Sequence, residues 1–337
     1  MPGSLVGEGY DAVRGERTMV VEVAGAIAGL VLLAFAADHL VLGASRLARR
    51  LRISPVVVGV VVIGLGTSAP EFLVSGLAAA RGDTGIAVGN IVGSNILNLT
   101  LLLGLAAIIA PIPVASRVIR REVPLAFAAV ALFGLLAVVA GLGVLTGGLL
   151  AVAGVAALWL LMRWARAGRA EAELADEVEE FVGRPAEPER RRTWTEALRA
   201  ALGLLGVLAG AQLLVGGASA VAASLGVSQL VIGFTLVALG TSLPELVTSV
   251  QAQLRGEPDL VVGNLFGSNL FNSLVGGAVI GFADGATAYA GAGLVATMIL
   301  SAGLAWLLLI RGLRLTRLDG VLLTVAYAMV SPLLLSA

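Results

Sequence analysis

The sequence predicts an all-α polytopic membrane protein in which ten transmembrane helices form two inverted five-helix repeats. The composition points to lipid, because 58% of the 337 residues are hydrophobic and only 13% are charged, against about 25% charged in a typical soluble domain. Apolar runs of about 20 residues, the length that crosses a bilayer, recur along the chain. A polar motif of the first half also returns in the second half at a constant offset.

The candidate spans fall into two groups of five. They cover 19–43, 55–80, 85–110, 123–140 and 144–163, and then 195–219, 229–254, 259–283, 286–310 and 317–336. Residues 1–18 carry no apolar core, which favours a loose N-terminal tail over a signal peptide. The polar segment 164–194 is expected to be a solvated linker between a first repeat, 19–163, and a second repeat, 195–337, since its acidic residues follow no ion-binding loop pattern.

Arginine placement predicts the orientation in the membrane. One side of the predicted topology has only Arg14, Arg17 and Arg81. The other side collects Arg46, Arg49, Arg50, Arg52, Arg117, Arg120, Arg121, the linker arginines, Arg255, Arg311, Arg314 and Arg317. Because positive charge accumulates in cytoplasmic loops, we expect a cell-membrane protein with a cytoplasmic linker and both termini external. The repeats are offset by five spans, an odd number, so equivalent helices cross the membrane in opposite directions.

The duplicated motif supplies the candidate functional residues. Thr67-Ser68-Ala69-Pro70-Glu71 recurs as Thr241-Ser242-Leu243-Pro244-Glu245, which begins 174 positions later (241 − 67). At the same offset, GNIVGSNILN at 89–98 recurs as GNLFGSNLFN at 263–272. The repeat therefore covers polar segments of two neighbouring spans in each half.

Each copy of the motif places a glutamate in the middle of an apolar span. An ionised acidic side chain at that depth costs at least ~2.5–3.5 kcal/mol, and two that face each other also repel. One divalent cation, or two monovalent cations, would neutralise Glu71 and Glu245 together. The pair therefore predicts a cation site between the two halves of a transporter, and a site that must hold one kind of cation or another predicts an exchanger.

Proline is expected to open the backbone beside each glutamate. Pro70 has no N–H, so the carbonyl group of Gly66 loses its helical partner and the helix kinks. Pro244 has the same effect in the seventh span. Free carbonyl groups at this depth are tolerated only where they line a cavity or bind an ion.

Polar residues recur every four positions in the third and eighth spans. They form the stripes Asn90, Ser94, Asn98 and Asn264, Ser268, Asn272. Hydroxyl, amide, carboxylate and carbonyl oxygens suit Ca²⁺ and Na⁺ rather than soft metals. Hydrogen bonding between helices, without ion binding, remains the alternative for the serines and for the last asparagine of each stripe. A structural role is favoured for Asn90, Asn95, Asn264 and Asn269.

Missing residue types exclude several function classes. The chain has no cysteine and no lysine, and His39 is its single histidine. Disulfides, thiolate sites and a lysine-containing phosphate loop are therefore absent. An intramembrane hydrolase would need a catalytic histidine or a pair of aspartates in the motifs, and a channel would need a continuous pore. We expect no enzymatic activity, no cofactor, no nucleic acid and no protein partner, only membrane lipid and inorganic cations.

On residues 66–71 and 89–98 and their copies, the chain resembles the cation/calcium exchanger superfamily, most closely its prokaryotic sodium/calcium exchangers. The similarity runs from about residue 19 to the C-terminus. It implies a secondary active antiporter in which Na⁺ entry drives Ca²⁺ out through one central site between kinked helices 2 and 7, with the first and sixth spans moving across it. The implied ligands are Glu71, Glu245, Thr67, Thr241, Ser68, Ser242, Ser94, Ser268, Asn98 and Asn272, with backbone carbonyl groups near Gly64 and Ala238.

The chain departs from the superfamily pattern at one position. Several relatives carry aspartate where this chain has Asn272, so its centre holds two acids rather than three, which suggests a potassium-independent exchanger. The proton-coupled branch usually carries Gly-Asn where this chain has Gly66-Thr67-Ser68. An H⁺/Ca²⁺ or other cation/proton antiporter of the same fold remains the alternative, because paired buried carboxylates can bind protons.

Overall fold

The computed structural model describes residues 4–181, 193–227, 238–283 and 287–336. The first half contains α1 (Ser4–Leu51), α2 (Pro55–Thr67), α3 (Ala69–Ala80), α4 (Thr84–Ile109), α5 (Ser116–Arg120), α6 (Glu122–Val139) and α7 (Val144–Phe181). The second half contains α8 (Thr193–Ser224), α9 (Ala238–Thr241), α10 (Leu243–Leu254), α11 (Pro258–Phe282), α12 (Ala292–Gly312) and α13 (Arg317–Ser336).

Seven helical segments in the described residues are long and apolar enough to cross a membrane, namely α1, α4, α5 taken with α6, α7, α8, α11 and α12. The bent pair α2 and α3 would make an eighth. The start of the predicted seventh span, 229–237, lies outside the described residues, and α9 and α10 cover its remainder. Helix α13 coincides with the predicted tenth span, 317–336.

The described backbone adds three details to these expectations. The backbone of residues 4–18 is helical and continues α1. Helix α7 continues to Phe181, inside the expected linker, of which 182–192 lie outside the described part. The fold is all-helical as predicted apart from one short antiparallel pair, β1 (Ile112–Pro113) with β2 (Arg314–Leu315). Two-residue strands have no periodicity that a sequence could display.

Helices α4 and α11 occupy the centre of the protein. In their most apolar stretches 78% and 83% of the residues are buried, against 17% in α1 and 28% in α8. Glycines of α11, which have no side chain, let the backbone of α2 lie directly on α11. A Cβ atom on Gly263 would come within 2.5 Å of the Val56 carbonyl oxygen, and one on Gly267 within 2.6 Å of the Cα atom of Val60. The backbones are therefore in contact at the level of the duplicated motif.

Helices α1 and α8 cross at a second set of glycines. A Cβ atom on Gly29 would lie 2.5 Å from the Leu214 backbone nitrogen, and one on Gly203 would lie 2.5 Å from the Leu40 backbone nitrogen. Both the glycines and the leucines are 174 positions apart (203 − 29 and 214 − 40). The two close approaches are therefore equivalent at the repeat offset of 174, which is consistent with the predicted inverted repeat.

Two glycines of α8 provide a matched test of this contact. Gly203→Ala places a methyl group against the α1 backbone, so we expect overpacking to lower the free energy of unfolding by about 1–3 kcal/mol. The missing side chain of Gly216 faces open space, so we expect Gly216→Ala to keep or raise stability, because alanine favours a helix by about 1 kcal/mol over glycine. Thermal unfolding midpoints of the purified variants measure both effects, and equal midpoints would contradict the close contact.

Candidate functional site

A break in the helix brings each glutamate to the start of a new helix. Helices α2 and α3 are bent by 41° where Ser68 adopts φ −77° and ψ 1°. Ser242, between α9 and α10, adopts φ −93° and ψ 6°. Proline follows two positions later in both repeats, in the first turn, where its missing N–H leaves no helical bond unmade. Glu71 and Glu245 consequently lie in the first turns of α3 and α10, near the positive ends of the helix dipoles.

The break also changes which residues share a helix. Thr67 ends α2 whereas Glu71 belongs to α3, so the motif does not lie on one face of a continuous helix. The Ser68 hydroxyl lies between the two helices and can therefore donate a hydrogen bond to a residue of the other repeat. This geometry follows from the proline-containing turn and could not be obtained from helical spacing alone.

Each carboxylate accepts a hydrogen bond from the opposite repeat. The Ser242 hydroxyl donates to Oε1 of Glu71 at 3.1 Å, and the Ser68 hydroxyl donates to Oε1 of Glu245 at 3.2 Å. Both glutamates are fully buried, with 0% exposure. The two crossed bonds therefore tie the broken helices of the two repeats together at the centre of the protein.

Two further serines reach the same oxygens from α4 and α11. The Ser94 hydroxyl lies 3.4 Å from Oε1 of Glu71, and the Ser268 hydroxyl lies 3.3 Å from Oε1 of Glu245. The Ser268 hydroxyl is also 3.2 Å from the carbonyl oxygen of Gly64. One hydroxyl proton cannot satisfy both acceptors at once. The predicted Gly64 carbonyl group therefore lies at the edge of the carboxylate cluster.

The remaining oxygens of the cluster have no hydrogen-bond donor among the described residues. Oε2 of Glu71 and Oε2 of Glu245 are buried without a partner. The amide groups of Asn98 and Asn272 are likewise buried, with neither nitrogen nor oxygen partnered. Both asparagines begin π-helical stretches, 98–102 and 272–276, a local widening that is frequent at functional sites. Buried polar atoms without partners are costly, which marks them as candidate ligand atoms.

The other predicted ligands differ in their surroundings. The Thr67 hydroxyl is within hydrogen-bond distance of the Ile63 carbonyl oxygen, at 3.0 Å, and of Oδ1 of Asn264, at 3.3 Å. Thr241 is buried beside the break in the second repeat. Ala238 is the first residue of α9, and its side chain lies outside the described part.

Two serines that the sequence motifs did not indicate bind the asparagine amides that reach the glutamate backbones. The Asn90 amide donates to the Ser75 hydroxyl at 2.9 Å and is 3.3 Å from the Glu71 carbonyl oxygen. The Asn264 amide makes the equivalent contacts with Ser249, at 2.9 Å, and with the Glu245 carbonyl oxygen, at 3.1 Å. The serines are themselves 174 positions apart (249 − 75), so the repeat offset could have identified them.

The site is an oxygen cluster with two formal negative charges. The described residues contain no group of three or more histidine, cysteine, aspartate or glutamate side chains placed to hold a metal ion. Two carboxylates with hydroxyl and amide oxygens can coordinate hard cations without a further acidic residue.

Comparisons with known proteins found a family model, curated relatives and a solved structure. The family model described as "Sodium/calcium exchanger protein" matches residues 21–163 and 196–334. The chain is 39% identical to the "Putative antiporter CaxA" of Alkalimonas amylolytica over 92% of this chain and 97% of that protein. It is 28% identical to "Sodium/calcium exchanger MaX1" of Methanosarcina acetivorans, over 72% of this chain and 78% of that protein. A solved structure of the sodium-calcium exchanger NCX_Mj superposes with a TM-score of 0.80 at 31% identity, covering 94% and 99% of the two chains.

The crossed serine bonds predict equal effects of two substitutions. Ser68→Ala and Ser242→Ala each remove one hydrogen bond to a buried carboxylate of the other repeat. We expect both to weaken Ca²⁺ binding by about tenfold or more, since hydrogen bonds to charged groups contribute about 1.5–3 kcal/mol. Calorimetric titration of the purified protein with Ca²⁺ measures the change. Ser224→Ala, which alters an exposed hydroxyl bonded to the Val221 carbonyl oxygen, is the control. A large effect of only one central serine would contradict the symmetric arrangement.

Proposed function

This chain belongs to the sodium/calcium exchanger family, and we propose that it exchanges Na⁺ for Ca²⁺ across the membrane by alternating access at Glu71 and Glu245. The observation that carries the proposal is the full burial of both carboxylates, each with one oxygen that lacks a hydrogen-bond partner. Buried charges without a counter-charge cost several kcal/mol each. A bound cation offsets that cost.

The charge of the site supports exchange over uncoupled transport. One Ca²⁺ neutralises two carboxylates, and so do two Na⁺. With one Ca²⁺ or two Na⁺ bound, the site is neutral while its access changes from one face to the other. Without cations, two negative charges are exposed to a low-dielectric interior during the same change. Return without a cation is therefore penalised, which couples the movement of one ion to that of the other.

We propose that the ion ligands are the predicted set, Glu71, Glu245, Thr67, Thr241, Ser68, Ser242, Ser94, Ser268, Asn98 and Asn272, with carbonyl groups near Gly64 and Ala238. The unpartnered amides of Asn98 and Asn272 lend support, because their oxygens are available to an ion. Asparagine rather than aspartate at 272 limits the site to two negative charges, and on this basis the exchanger is potassium-independent.

The proposed architecture has ten spans in two inverted repeats, 19–163 and 195–337. It counts the pair α2 and α3 as the second span, α10 with the segment before it as the seventh, and α13 as the tenth. The second and seventh spans are kinked around the site, and α1 and α8 move across it. We place the linker 164–194 in the cytoplasm and both termini outside, because most arginines then lie on the cytoplasmic side.

A proton-coupled or other cation/proton antiporter is the second candidate. The same burial that supports cation binding favours protonation of carboxylates, and two protons also neutralise the site. Geometry therefore does not separate Na⁺ from H⁺ as the driving ion, and the driving gradient must be varied directly.

Uptake of ⁴⁵Ca²⁺ into proteoliposomes tests the proposal. Vesicles loaded with Na⁺ and diluted into Na⁺-free medium are expected to accumulate ⁴⁵Ca²⁺, whereas vesicles loaded with K⁺ or with acid buffer are not. We expect Glu71→Gln and Glu245→Gln to abolish uptake, because each removes half of the charge that attracts the ion. Glu22→Gln, at a half-buried position of α1 near the start of the predicted first span, 19–43, should leave uptake intact.

Each alternative outcome has a distinct meaning. Uptake driven by the acid gradient would identify the proton-coupled antiporter. Uptake that survives either central substitution would remove the two-glutamate site from the mechanism. Saturation of the initial rate with Ca²⁺, together with release of internal Na⁺, distinguishes exchange from channel-like flow.

A further inference from the structure

The two repeats are alike in sequence, yet the first helix of each repeat contacts the broken helix of the other repeat to a different extent. Helix α1 packs along α10, the broken helix of the second repeat. The pseudo-equivalent pair, α8 with α3, is hardly in contact, although both helices are described over their full lengths. The contact of α1 lies on the arginine-rich face, proposed above to be cytoplasmic. The structure is therefore closed on that face and less covered on the other.

An ion pair holds α1 against α10 on the closed face. Arg255, directly after α10, donates from Nε to Oδ1 of Asp38 and from Nη2 to Oδ2, both at 2.6 Å. Gln251 adds a hydrogen bond to Oδ1 of Asp38 at 2.5 Å. A two-pronged arginine–carboxylate contact is among the stronger and more directional polar interactions in proteins.

A second polar contact lies one to two turns further along α1. The Ser45 hydroxyl donates to Oε1 of Glu257, in the turn before α11, and Nη1 of Arg49 reaches the same oxygen at 3.1 Å. Ser45 is buried, with 1% exposure. Together, the Asp38–Arg255 and Ser45–Glu257 contacts fasten α1 to the turn between α10 and α11, and we call these four residues the latch.

The repeat supplies an equivalent of every latch residue at the offset of 174. Asp38 corresponds to Gln212, Ser45 to Ser219, Arg255 to Arg81 and Glu257 to Asp83. Among the described residues, no hydrogen bond or ion pair joins Gln212 to Arg81 or Ser219 to Asp83. The Ser219 hydroxyl is buried without a hydrogen-bond partner among the described residues, and Arg81 and Asp83 are exposed in the turn after α3. A buried hydroxyl without a partner, at the position where its equivalent binds a carboxylate, indicates a contact that forms in another state.

We propose that the latch closes the cytoplasmic face and that the opposite state exchanges it for a second set of contacts, Ser219 with Asp83 and Gln212 with Arg81. The proposal rests on the alternating access of the proposed function. In an inverted repeat, interchanging the conformations of the two halves turns a structure closed on one face into one closed on the other. The interchange breaks the contacts of α1 with α10 and forms those of α8 with α3.

The two sets of contacts differ in chemistry, and that difference biases the equilibrium. The latch contains a charged pair and a serine–glutamate bond supported by Arg49. Its counterpart pairs Arg81 with a neutral amide, and Ala223 stands at the position equivalent to Arg49. Charge-assisted contacts are stronger than contacts between a charge and a neutral group. The latched state is therefore favoured when ion occupancy does not differ between the states.

Paired cysteines test the interchange, because the chain contains no cysteine of its own. One variant combines Ser45→Cys with Glu257→Cys, and the other combines Ser219→Cys with Asp83→Cys. Both pairs join the two halves of the chain. Cleavage at a protease site inserted at 182–192 therefore leaves the halves linked on a non-reducing gel only if the disulfide has formed. We expect each pair to form a disulfide under mild oxidation, the first rapidly and the second slowly.

Hydrogen–deuterium exchange of the linked proteins reports the two states. The first disulfide should protect the turn at 255–257 and leave that at 81–83 open, and the second should reverse the pattern. Failure of the second pair to link with Na⁺, with Ca²⁺ or without either ion, while the first pair links, would overturn the proposal. So would an unchanged exchange pattern after the second pair has linked.

Matched arginine substitutions test the bias. In the Ser219→Cys/Asp83→Cys background, Arg255→Gln should speed disulfide formation about tenfold, the size expected for the loss of hydrogen bonds to a charged group. Arg81→Gln should leave the rate unchanged or lower it. Equal rates in the two variants would refute the latch. These readouts do not depend on which ion is carried, so loss of Na⁺-driven Ca²⁺ uptake would count against the proposed function and not against the latch.

Discussion

The burial of two carboxylates beside the pseudo-twofold axis is the constraint on which the rest of the structure depends. An acidic side chain inside a membrane protein needs hydrogen-bond donors or a counter-charge. The chain meets the first need with hydroxyl groups that cross between the repeats and with helix starts whose dipoles point at the glutamates. The donors reach only one oxygen of each carboxylate, and the oxygens left over are those available to a cation.

The inverted repeat provides this arrangement economically, because one folded unit used twice brings two equivalent glutamates to a common centre. Backbone contact is needed for that approach, and the glycines of α11 against α2 allow it. In the proposed mechanism, the same repeat gives two related states that differ in which half closes over the site. Under that proposal, one-sided contacts such as that of Asp38 with Arg255 bias the choice between the two states.

Much of this organisation could be predicted because it depends on local properties of the chain. Hydropathy indicated a membrane protein. The offset of 174 identified the two glutamates, the serines beside them in the motif (Ser68 and Ser242) and both polar stripes. The missed features depend on distant contacts or on weak local signals. Ser75 and Ser249 matter because an asparagine from another helix reaches them. The pairing of Ile112 with Leu315 joins segments far apart in the sequence, and no two-residue strand has a recognisable pattern.

The sequence by itself determined the inventory of the site: two glutamates, paired hydroxyls and amides, and a proline that interrupts the helix beside each glutamate. Tertiary structure decided how that inventory is connected. Ser68 bonds to Glu245 and Ser242 to Glu71, rather than each to the glutamate of its own motif. Spacing along a helix fixes only neighbours within a turn or so. Contacts between the repeats, and the choice of the face that is closed, depend on how whole helices pack.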